Sequence, residues 1–172
     1  MNAEPHRIKP ITLEGVAAAL KKAEQYRVLN EPISAESICL DILAVDPDNV
    51  EARKLQVLAV TDQFSTGRPA DLHRAEVVAS ALQDPYTKAY LFGITCERWA
   101  KGLLERGALH AGEMADEWIE KAHGWYAKAE EVRPPMNDDA ILRWNSCVRL
   151  RERNPHVAPR PSEGWEPSLE EG

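Results

Sequence analysis

The chain has few of the features that mark the commoner functional classes. Lys and Arg number 21 against 28 Asp and Glu, giving a net charge of -7. That leaves no basic stripe with which to neutralise phosphates, so no nucleic-acid partner is expected. No apolar run approaches the roughly 18 residues that a membrane span needs. Residues 16–20 (VAAAL) are too short for a signal core and run into two lysines, which points to a cytoplasmic chain. The three cysteines, Cys39, Cys96 and Cys147, are odd in number, far apart and without a C-x-x-C pair. They read as buried thiols in a reducing compartment. Val, Ile and Thr seldom alternate with polar residues, so strands are not expected. The fold class that remains is all-α.

What is present is punctuation. Twelve prolines and nine glycines divide 172 residues, about one domain's worth, into helical stretches. Residues 1–11 form a polar arm. Thr12 caps a helix over 12–29, with Leu13, Val16, Leu20, Ala23 and Tyr26 on one stripe. Pro32 interrupts the pattern, and a second helix spans 34–45. Asp48 and Glu51 begin a third helix that runs to 64. A Gly/Pro loop over 65–69 leads to a fourth over 71–82. Asp84-Pro85 has the order of a cap and first helical residue and opens a fifth helix to 104. A two-glycine turn over 106–112 precedes a sixth over 113–132. Asn137, Asp138 and Asp139 cap a seventh that ends near 153. From 154 to 172 the chain turns proline-rich and ends acidic. It reads as an extended or disordered tail whose removal should cost no stability.

Within this pattern one spacing stands out. Ala122, Tyr126, Ala129 and Pro134 follow the order Ala-x3-aromatic-x2-Ala-x4-Pro. Ala35, Cys39, Ile42 and Pro47 hold the same four slots upstream. A small residue lets two helix axes approach, an aromatic ring fills the next gap, and proline ends the helix. Residues 14–152 thereby resemble the tetratricopeptide repeat family. Ala23 with Tyr26, and Gly93 with Cys96, look like the small and aromatic pair of the family's first helix. The middle hairpin keeps only Ala75 and Ala79. The resemblance implies antiparallel hairpins stacked as a short right-handed solenoid of about seven helices over 12–153.

Signals for chemistry are sparse. Glu120 and His123 make a single Glu-x-x-His, where a di-iron bundle needs two such units and further carboxylates. No G-x-S-x-G elbow or glycine-rich phosphate loop occurs. Cys96 and His123 could be brought together only by the fold. A non-catalytic chain without metal or cofactor is expected. Five tryptophans are many beside two phenylalanines. Trp99, Trp125 and Trp144 read as fillers between long helices, while Trp165 in the tail is either a docking residue or incidental.

In the family, first helices of successive hairpins line a concave groove. On this chain the resemblance assigns to that face Leu20, Glu24 and Arg27, then Lys54, Leu58 and Thr61. Tyr90, Ile94 and Glu97 follow, then Ile141, Asn145 and Arg149. Leu20 and Glu24 replace the Lys and Asn of the family's carboxylate clamp, so that ligand mode is not implied. The expected partner is a protein or peptide held in side-chain pockets. The rival expectations are a homodimer through exposed apolar positions and a sensor with a closed pocket.

Overall fold

A computed structural model describes residues 7–160. Among the described residues there are seven α-helices and no strand. They are α1 (Val16–Val28), α2 (Pro32–Val45), α3 (Val50–Thr61), α4 (Pro69–Ser80), α5 (Pro85–Arg106), α6 (Ala111–Glu131) and α7 (Asp139–Arg153). Short 3-10 turns, Leu13–Gly15 and Phe64–Thr66, precede α1 and follow α3.

Local chemistry fixes most of these boundaries. The Thr12 hydroxyl accepts from the Gly15 amide at 3.2 Å, and the Asp84 carboxylate accepts from that of Thr87 at 2.8 Å. Hydrogen bonding from Thr87, by its side chain first and then by this amide, holds the Asp84 carboxyl below its ordinary range. Several expected boundaries move. Pro32 does not separate helices but is the first residue of α2, where its fixed φ suits the turn and its missing N–H costs nothing. Pro69 and Pro85 do the same in α4 and α5. The cap of α3 is Asn49, which accepts from Ala52 at 2.9 Å, and not Asp48.

Each helix packs on its neighbours in sequence, and α5 against α6 is the most extensive pairing. In addition α1 touches α3, α3 touches α5, and α5 touches α7, whereas the even-numbered helices make no comparable contacts with one another. Odd-numbered helices therefore share one side of the molecule. The largest core cluster joins Val57, Leu82, Leu91, Ile94, Ile119 and Tyr126, and it extends to Cys147 on α7. Smaller clusters close the first hairpin, one around Val16, Ile42 and Ala52, the other around Ala23, Cys39 and Leu55.

Ala23 and Cys39 are fully buried in one cluster. A β-carbon on Gly93 would overlap the ring of Tyr126.

The boundary at 154 is corrected. Val157 is only 5% exposed and belongs to the main core. The His156 carbonyl lies against Gly112, which sits in the first turn of α6 and not in the preceding turn. Arg160 Nε reaches Glu113 at 2.9 Å. The residues 154–160 thus form a strap over the start of α6. At the other end Ile11 packs on the first-hairpin core, so the arm is attached by its last residue. Trp165 and the remainder of the tail, like residues 1–6, lie outside the described residues.

Candidate functional site

The odd-numbered helices carry a row of charged side chains that links all four. Asp62, just past α3, accepts from Arg27 of α1 at 2.8 Å and from Arg98 of α5 at 2.6 Å. Arg98 also donates to the Thr61 hydroxyl at 2.6 Å and the Leu58 carbonyl at 3.1 Å. Immediately before Arg98 on α5, Glu97 accepts from Lys101 at 2.5 Å and from Arg143 of α7 at 3.4 Å. Its second oxygen takes the Tyr126 hydroxyl at 2.6 Å. Burial, then the charge of Glu97 and this bond, push the Tyr126 phenol far above its ordinary range. Burial holds Arg98 below the usual guanidinium value, against the pull of Asp62. For Arg143 burial is outweighed by Glu97 and Tyr90, and its pKa is raised.

The residues assigned to the groove divide three ways. Glu24 and Arg149 are exposed. Leu20, Arg27, Lys54, Leu58, Tyr90, Ile141 and Asn145 are half-buried. Lys54 is held by Glu51 at 2.8 Å, and Tyr90 lies between the rings of Tyr86 and Tyr126 at 5.8 and 6.2 Å. Ile94, Glu97 and Thr61 are enclosed, at 2%, 0% and 2% exposure. They are corrected from an open face to the interior: Tyr126 and Arg143 reach Glu97 from α6 and α7, Arg98 covers Thr61, and Ile94 belongs to the main core. No local pattern pointed to the partners that make the row, Asp62, Arg98, Lys101 and Arg143.

Beside the row lie clefts open to solvent. One of about 330 Å³ is walled by Thr61, Asp62, Ser65, Arg98, Lys101 and Glu105. A neighbouring one is walled by Arg27, Val28, Asn30 and Asp62.

Groups that could serve chemistry sit elsewhere. The Cys96 thiol is buried, and desolvation pushes it up to about 12, away from the reactive thiolate. His123 stacks on Trp144 at a ring separation of 4.2 Å, with Nε2 buried and without a hydrogen-bond partner. Burial lowers its pKa. Among the described residues no group of three or more His, Cys, Asp or Glu is placed to hold a metal ion, and no helix is long and apolar enough to cross a membrane. Trp99 and Trp118 meet edge-on at 6.3 Å, and Phe92 stacks on Trp125 at 4.6 Å, so these indoles fill space between α5 and α6. Trp144 remains 36% exposed on α7.

In comparisons with protein-family models, curated proteins and solved structures, nothing matches this chain.

Proposed function

We propose that this chain is a non-catalytic scaffold of the tetratricopeptide kind. Its hairpins form a short right-handed array, and a protein or peptide segment is held along the side that the odd-numbered helices share. The observation that carries the reading is that contact of α1, α3, α5 and α7 in succession, which creates one continuous side from four separate helices. The close helix crossing at Gly93 and Tyr126 supports the repeat assignment from which that side was read. Three buried, unpaired thiols support a place in the cytoplasm.

The test is affinity capture from the native cell with the full chain, in parallel with a Glu24→Lys, Arg149→Glu variant altered at two exposed positions of the face. A partner bound by the unaltered chain and lost from the variant is the expected result. A capture profile identical for both would remove the face from the reading.

A second reading has its own observation. Val28, Leu29 and Ile33 are 87%, 67% and 70% exposed around the turn of the first hairpin. An apolar end of this kind suits pairing of two copies. Light scattering over a concentration series decides it, since a monomer at all concentrations rejects the pairing.

A further inference from the structure

The row on the odd-numbered helices is unbalanced in a particular way. Each of its two carboxylates is shared by two cations: Asp62 by Arg27 and Arg98, and Glu97 by Lys101 and Arg143. Four cations are thus held by two anions. Asp62 and Glu97 are already engaged, whereas each guanidinium has five N–H donors and one ion pair does not exhaust them. The cationic side chains keep access to solvent, at 20% for Arg27, 21% for Arg98, 36% for Lys101 and 35% for Arg143. The carboxylate of Glu97 has none, and that of Asp62, already shared by two guanidinium groups, has 23%.

The surroundings leave the sign unchanged. Lys54 is matched by Glu51 at 2.8 Å. Exposed Arg149 offsets exposed Glu24 on the same side, and Glu105 stands in the wall of the cleft beside Arg98 and Lys101. Six cations face five carboxylates on a chain whose net charge is -7. A side of positive sign on an acidic protein steers acidic partners toward itself and away from the rest of the surface.

We infer that the partner segment is an acidic peptide, whose carboxylates enter the clefts beside Arg27, Arg98 and Lys101 as further counter-ions to the row. This rests on the scaffold reading above and gives its ligand a chemical class. The cations are spread over α1, α5 and α7 and do not converge on one point, which suits an extended chain with repeated carboxylates better than a single compact anion. Half-burial of the row strengthens each contact relative to water.

The test uses the full chain and a fluorescent, C-terminally amidated peptide of alternating Glu and Ala. At about twelve residues such a probe spans roughly 40 Å when extended, enough to cross four helices about 10 Å apart. A second probe replaces every Glu by Gln. The Glu probe is expected to bind about ten-fold or more tightly than the Gln probe, with an affinity that falls as salt shortens the screening length. Lys101→Gln with Arg149→Gln should weaken it several-fold while the melting curve stays cooperative, and Lys121→Gln on α6 should leave it unchanged. Equal binding of the two probes would overturn the acidic preference and leave a shape-selective scaffold standing. Absence of Glu-probe binding at low salt, or indifference to the Lys101 and Arg149 changes, would overturn the inference as well. The fate of the scaffold reading is then decided separately, by the capture experiment.

Discussion

The ring of Tyr126 on α6 occupies the space where a β-carbon of residue 93 on α5 would stand. Gly93 is therefore the condition for the close crossing of the two longest helices. Gly93→Ala must push the ring aside in a packed core, and overpacking of this kind costs about 1–3 kcal/mol. Thermal unfolding followed by circular dichroism should show a lowered midpoint. Combined with Tyr126→Leu, the two changes should be strongly non-additive, because the second removes the atoms the first collides with. Additive effects would show that the two residues do not meet.

Tyr126 is also the phenol that caps a buried charge. Tyr126→Phe keeps the ring and deletes the donor to Glu97. A hydrogen bond to a charged group contributes about 1.5–3 kcal/mol, and the variant should lose stability in that range while keeping its helicity. No change in chemical denaturation midpoint would mean that Lys101 and Arg143 satisfy Glu97 without help.

Truncation distinguishes the strap from the tail. Ending the chain at Asn154 exposes the site of Val157 and uncovers Gly112, and loss of one buried valine corresponds to about 2 kcal/mol. Ending it at Arg160 retains every contact described for the strap. The first truncation should lower the melting temperature by several degrees, and more than the second does. Equal midpoints for both would detach the strap from the core.

His123 gives the fold a pH dependence of known sign. Its folded pKa lies below the ordinary value of about 6.5, chiefly through burial, with Arg151 opposing the proton and Glu120 and Asp116 favouring it. The unfolded chain therefore binds more protons in the window just below that value. Stability is present above it and is lost as pH falls through the folded pKa. His123→Phe retains a ring against Trp144 and removes the titration. The variant's melting temperature should vary less than that of the unaltered chain as pH falls from neutral into this window; parallel curves would contradict the assignment.

How much of this was legible depended on the kind of signal. Helix count and the cap at Asp84 follow from local chemistry, which a sequence displays directly, whereas Gly93 was singled out as a small crossing residue by the family resemblance. Pro32 misled because proline is a breaker inside a helix and a favoured first residue at its start, and one sequence does not say which. The strap was invisible for a different reason. Val157 is a lone apolar residue among prolines, without periodicity, and only the approach of Gly112 gives it a place to go. Glu97 was assigned to an open face by the register of the family resemblance. What encloses it are Tyr126 and Arg143, residues 29 and 46 positions later in the chain. Burial imposed from that distance leaves no trace in local pattern.

The pairing of α5 with α6 joins 22 and 21 residues through a turn of only a few. It combines the most extensive helix pairing with a short loop, so this hairpin is expected to form early and to be the last to come apart. Amide hydrogens near Gly93, Ala122 and Tyr126 should exchange at the rate of global opening, and those of α1 much sooner. The molecule is then organised around a durable stem, with the first hairpin as its more yielding end.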